Sequence, residues 1–185
     1  MGESVASAKF GVKIGDAPDA ARSPLIDYRG MPPAELVTAP VELLLDEEGV
    51  RGVSRENVDV VRLAFDAIGR RDIGALLRLS DARIEFLPLT GTRVESGGYA
   101  GHAGVRDYFE ETAEVWEEMR PYAQALRSVR EHVVVIGGCA VRGRGSGAEC
   151  DDPMAWVITV RHGKIIRHRG YRTGEEALEA VGLRE

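Results

Sequence analysis

Cysteine is scarce: Cys139 and Cys150 are the only two in 185 residues. Lacking Cys-x-x-Cys spacing, they define neither a disulfide framework nor a zinc knuckle, so reduced thiols are expected. Positive charge is also in deficit, with 24 Lys and Arg against 30 Asp and Glu and a net charge of -6. A surface that tracks phosphates needs the opposite balance, so nucleic acid is not an expected partner. Apolar runs stay far short of the ~20 residues that cross a bilayer, and no membrane association is expected. Met1–Gly11 has neither the basic start nor the apolar centre of a secretory signal, which makes the expected location cytoplasmic. There is no glycine-rich phosphate loop, and no His/Asp/Glu grouping with metal-ligand spacing. Neither cofactor nor metal is expected.

What is present suits one globular domain behind an N-terminal arm. Hydrophobic residues make up 44% of the chain and charged residues 29%, enough for a single core. Residues 1–53 are punctuated by Pro24, Pro32, Pro33 and Pro40 and read as an extended or partly disordered arm. Phe10, Tyr28 and Val41–Leu45 leave open the alternative that this arm docks on something. The domain is assigned to 54–185. Ser54 is a candidate N-cap, followed by Val58, Val61, Phe65 and Ile68 at helical spacing and by Gly69 as the stop. Asp72 reads as the cap of a short second helix. Ala82–Leu89 alternates as a strand, with Ile84 and Phe86 on one side and Arg83 and Glu85 on the other. Val105, Tyr108, Phe109, Thr112, Trp116 and Met119 mark the apolar stripe of a third helix, whose outer face carries Glu110, Glu111, Glu114, Glu117 and Glu118.

The remainder predicts strands over Tyr122–Ser128, Val133–Arg144, Met154–Arg161 and Lys164–Arg172, the last two joined at His162-Gly163 by a tight turn. A final helix opens on Thr173 and Glu176 at capping-box spacing and stops near Gly182. Helices first and antiparallel strands after them give an α+β class.

Several words then occur in a telling order: Phe65-Asp-Ala-Ile-Gly-Arg-Arg-Asp72, Tyr99-Ala-Gly-His-Ala-Gly-Val-Arg-Asp-Tyr-Phe109, Gly143-Arg-Gly-Ser-Gly147, Arg161-His-Gly-Lys-Ile-Ile166 with Tyr171, and Glu176-Ala-Leu-Glu-Ala-Val-Gly182. From about Asn57 to Leu183 the chain resembles the SnoaL-like branch of the nuclear transport factor 2-like superfamily. The resemblance implies a curved antiparallel sheet packed on N-terminal helices, a conical pocket, and homodimerisation across the sheet. It does not imply one chemistry, because the superfamily holds isomerases, cyclases, epoxide hydrolases, dehydratases and noncatalytic binding domains.

Strand alternation, anchored on that resemblance, points Ile84, Phe86, Gly137, Cys139, Met154, Trp156, Ile158, Ile166, His168 and Gly170 into the pocket, with Phe65 joining from the first helix. The acid–arginine–acid set of the epoxide hydrolases is replaced by Gly137, Cys139 and Gly170. The phenol and base of the ketosteroid isomerases are replaced by Phe65 and by Phe86 or Leu87. His168 therefore remains as the candidate acid–base residue, against a purely structural histidine hydrogen-bonded across the sheet or an interface. Phe65, Phe86, Cys139, Met154, Trp156 and Ile158 are the candidate ligand-binding residues. Cys139 reads as an inert small hydrophobe. His102, His132 and His162 read as turn or solvated residues, and Arg142, Arg144, Arg167 and Arg169 as partners of carboxylates across a subunit interface.

Two functions fit these residues. One is a cofactor-independent cyclase, isomerase or dehydratase acting on a small hydrophobic carbonyl compound. The other is a noncatalytic small-molecule-binding or protein-association domain.

Overall fold

The computed structural model describes residues 42–45, 53–91 and 97–183, with side chains from Arg55 onward. Most of the expected arm, and the Ser54 side chain proposed as a cap, lie outside the described residues. Within the arm, Glu42–Leu45 form strand β1.

Helix α1, Val53–Gly69, buries Val58, Val61, Phe65 and Ile68, the positions its period predicts. Gly69 ends the helix, but the residue that reverses the chain is Arg71, at φ 55. The Asp72 side chain then accepts from the Ala75 N–H at 2.8 Å, capping helix α2, Ile73–Leu79. Strand β2 runs Ser80–Leu87. Ile84 and Phe86 are buried, while Arg83 and Glu85 are exposed on the other face. After β3, Tyr99–Ala100, helix α3 spans Gly101–Val115.

Here the structure departs from the periodicity. The apolar stripe predicts helix as far as Met119, yet Trp116 is already extended at φ -105 and ψ 120 and opens strand β4, Trp116–Val129. Two arginines that are distant in sequence satisfy the end of α3. Arg71 donates to the Trp116 carbonyl at 2.7 Å, and Arg144 donates through Nε to the Ala113 carbonyl at 2.8 Å. Cations at these orphan carbonyls also complement the helix dipole. Glu117 and Glu118 therefore lie on a strand, ion-paired with Arg142, instead of on a solvated helix face.

Strands β5, His132–Gly143, β6, Glu149–Arg161, and β7, Lys164–Tyr171, complete a mixed sheet. Among the described residues its order is β1-β4-β5-β6-β7-β2-β3. The β1/β4 and β2/β7 pairs are parallel, and the other neighbours are antiparallel. His162 at φ 50 and Gly163 at φ 70 make the two-residue turn between β6 and β7, in which both residues need positive φ. A β-bulge between Ala123 and Ala125 lies opposite Gly137, where an added Cβ would sit 2.0 Å from the Tyr122 carbonyl oxygen. Only glycine permits that approach.

The fold is α+β. The main core joins α1, α2 and α3 to the inner sheet face through Leu126, Val133, Val135, Trp156 and Ile158. Helix α4, Gly174–Ala180, packs Ala177 and Leu178 against Val134, Ala155 and Val157 on the opposite face. Thr173 accepts from the Glu176 N–H at 3.2 Å. Glu176 answers at the Arg172 N–H, 3.0 Å away, one residue earlier than a strict capping box.

Candidate functional site

Alternation along the strands leaves space between the inner sheet face and helices α1 and α3, a cavity of about 80 Å³. Phe65, Phe86, Cys139, Met154, Trp156 and His168 all line it. Phe65 and Trp156 meet edge to face, centroids 5.1 Å apart, a favoured aromatic geometry. Ile158 and Ile84 point inward but are closed over by the core and do not reach the cavity. At Ile166 alternation fails. A register shift between Thr159 and Val160 pairs Val160 with Ile165, so Ile165 is the buried residue and Ile166 is displaced. Gly137 is consumed by the cross-strand approach described above, and Gly170 lies beneath Leu89, 3.1 Å from where its Cβ would be.

His168 is 6% exposed and stacks on Phe86 at 4.5 Å with 20° between planes. Among the described residues its Nδ1 is buried without a hydrogen-bond partner. Burial in this apolar wall pushes its pKa down to about 4, because desolvation penalises the imidazolium. The ring is neutral at pH 7. A neutral imidazole accepts a proton or makes a neutral hydrogen bond to a ligand.

Around it stand groups that the sequence did not mark. Tyr108, from α3, and Thr90 place their hydroxyls 3.4 Å apart, and both residues line the cavity with Trp116, Met119 and Asp152. Tyr108 and Trp116 belong to an apolar stripe that reads as core. Thr90 and Asp152 follow no period that singles them out. Burial raises the Tyr108 phenol well above its ordinary value. Cys139 is pushed up to about 12 by burial, with the carboxylates of Asp151 and Asp152 adding to it, so its thiol stays protonated. Asp152 is the register partner of Cys139 and accepts from the Cys150 thiol at 3.3 Å. His168 is instead the partner of Ile158, six residues along β6 from Asp152, so aspartate and histidine do not form a dyad.

The other expected residues lie away from the cavity. His102 Nε2 is 3.3 Å from the Ser80 carbonyl oxygen, and His132 meets the Thr159 hydroxyl at 3.0 Å, a partner in place of the expected solvation. The arginines assigned to an interface have partners within the chain. Arg142 pairs with Glu117 and Glu118, Arg167 pairs with Glu85, Arg144 caps α3 and Arg169 lies over Tyr171. Among the described residues, no group of three His, Cys, Asp or Glu side chains is arranged to hold a metal ion.

Residues 61–168, more than half the chain, match the SnoaL-like domain family. The chain belongs to that family. No protein of curated function matches it in sequence. Solved structures share the fold of this SnoaL-like chain at low identity. TerC, co-crystallised with polyporic acid, is 20% identical, with a TM-score of 0.56 over 69% of this chain and 99% of its own. A ketosteroid isomerase-like protein from Catenulispora acidiphila DSM 44928, in complex with trimethylamine, is 17% identical, with a TM-score of 0.54 over 68% and 93%. A candidate SnoaL-like polyketide cyclase from Jannaschia sp. CCS1 is 15% identical, with a TM-score of 0.56 over 67% and 90%. At such identities the likeness is one of fold: helices packed on a curved sheet in the manner of nuclear transport factor 2.

Proposed function

We propose that the cavity takes up a small, mostly apolar molecule bearing a carbonyl or hydroxyl group, and that His168 moves a proton on it without a cofactor, in a reaction of the cyclase, isomerase or dehydratase class. The observation that carries this reading is a neutral, desolvated imidazole among the lining residues of a mostly apolar cavity. With a pKa near 4, the imidazole is wholly in its base form at pH 7. It is a weaker base than the near-neutral pKa that best suits proton transfer, so the proton it takes must come from an acidic position such as a carbon beside a carbonyl. Relatives that hold polyporic acid or trimethylamine support a small-molecule partner.

A second reading, binding without chemistry, is favoured by one specific observation: among the described residues no carboxylate orients His168, whereas proton-transfer histidines are ordinarily held by one. Native mass spectrometry of the purified chain for a retained molecule, followed by assay of that molecule with wild type and His168→Ala, separates the two. Proton-transfer catalysis predicts turnover by the wild type and a loss of 10²-fold or more in the variant. Retention of the molecule with turnover in neither protein supports the binding reading. A homodimer formed across the sheet and a cytoplasmic location belong to the same proposal. Among the described residues, no helix is long and apolar enough to cross a membrane.

A further inference from the structure

The cavity holds a second polar feature that, like His168, packs on Phe86. Phe86 stacks on the imidazole at 4.5 Å and meets the Tyr108 ring at 5.0 Å, so the two polar side chains flank one aromatic wall. The position of the Tyr108 ring is over-determined. Phe109 lies 5.1 Å away, Tyr99 lies 5.3 Å away, and the backbone of Gly91 is so close that a Cβ there would touch the ring at 3.4 Å. The phenol oxygen is thus held at a fixed point. Its only described hydrogen-bond partner is the Thr90 hydroxyl at 3.4 Å, beyond the ~2.5–3.0 Å of a well-formed O–H···O bond. The two hydroxyls carry two protons between them and share one long contact. At least one O–H therefore has no acceptor among the described residues, in a wall that also holds the apolar Phe65, Trp156, Met119 and Met154 and the polar Cys139, Asp152 and His168.

We infer that Tyr108 and Thr90 form a donor pair for a ligand oxygen, so that the cavity selects a compact ring compound with two oxygen functions, a carbonyl held by Tyr108 and a hydroxyl presented to His168. The inference rests on the small-molecule reading above and narrows it to a hydroxy-carbonyl class. Burial keeps the phenol protonated, which makes it a donor at any physiological pH. The cavity of about 80 Å³ is about half the ~150 Å³ that accepts benzene, so a one-ring ligand enters only if the flexible side chains of Met119 and Met154 move aside, and anything larger is excluded.

The probes are 4-hydroxybenzaldehyde and toluene, titrated into the full chain, into Tyr108→Phe and into Thr90→Val. Tyr108→Phe removes one oxygen and keeps the ring packing. The wild type should prefer the aldehyde, with a carbonyl stretch shifted to lower frequency in the bound state. Tyr108→Phe should weaken aldehyde binding about tenfold, the worth of one hydrogen bond, and abolish most of the frequency shift, while toluene binds all three proteins alike. Thr90→Val should give a smaller loss of the same kind. Equal aldehyde affinity and an unchanged carbonyl frequency in Tyr108→Phe would overturn the donor pair while leaving the small-molecule cavity standing. Failure of both probes to enter the wild type would overturn the cavity reading itself, and the donor pair with it.

Discussion

His168 stays neutral because burial desolvates the imidazolium, and this has a consequence for stability. In the unfolded chain the imidazole has its ordinary value near 6.5, and in the folded chain about 4. Between those values the unfolded state binds the proton and the native state does not, so stability falls as the pH drops through that window and the loss levels off below it. The loss amounts to about 3 kcal/mol. Urea unfolding of wild type and His168→Gln at pH 7 and pH 4.5 isolates the contribution. The wild type should lose more stability than the variant between the two pH values, and equal losses would show that this imidazole is not the buried titrating group. His168 was legible in the sequence, because alternation along the last strand, anchored on the family resemblance, points it inward. Its distance from Asp152 was not legible, since a sequence does not say which carboxylates a register brings near. Asp152 and His168 lie on neighbouring strands, yet six residues of β6 separate them.

The junction of α3 and β4 shows where local pattern gives way to tertiary structure. Thr112, Trp116 and Met119 keep helical spacing, and no glycine or proline intervenes before Pro121, so nothing local stops the helix. What stops it is the reach of Arg71 and Arg144 to its terminal carbonyls together with the pairing of Glu118 and Met119 with Arg142 and Val141. These partners are distant in sequence and have no periodic signature. Arg71→Ala should therefore destabilise the domain by about 1–2 kcal/mol in urea unfolding through loss of a charge-assisted bond to the Trp116 carbonyl, and Arg71→Lys should recover only part of it. An unchanged midpoint in Arg71→Ala would mean that pairing with β5 alone ends the helix. By contrast the Asp72 cap, the His162-Gly163 turn and the Thr173 cap were readable from a few adjacent residues, because the interactions that form them are themselves local.

At the scale of the whole molecule, the sheet and helices enclose a small cavity whose walls divide by how they can be read. Phe65, Phe86, Cys139, Met154, Trp156 and His168 follow from periodicity anchored on the family resemblance. Tyr108, Thr90, Trp116, Met119 and Asp152 become wall residues only once α3 and the chain after β2 are folded over the starts of β4 and β6. Ile158 and Ile166 mark the opposite failure, where correct alternation meets a closed core and a register shift. The site is thus defined by a shape that alternation approximates and packing completes. The most direct test of that site is the ring ¹⁵N spectrum of its histidines during titration with 4-hydroxybenzaldehyde. The account predicts that His168 shifts saturably while His102, His132 and His162 stay still. A His168 resonance that does not move while the surface histidines do would contradict it.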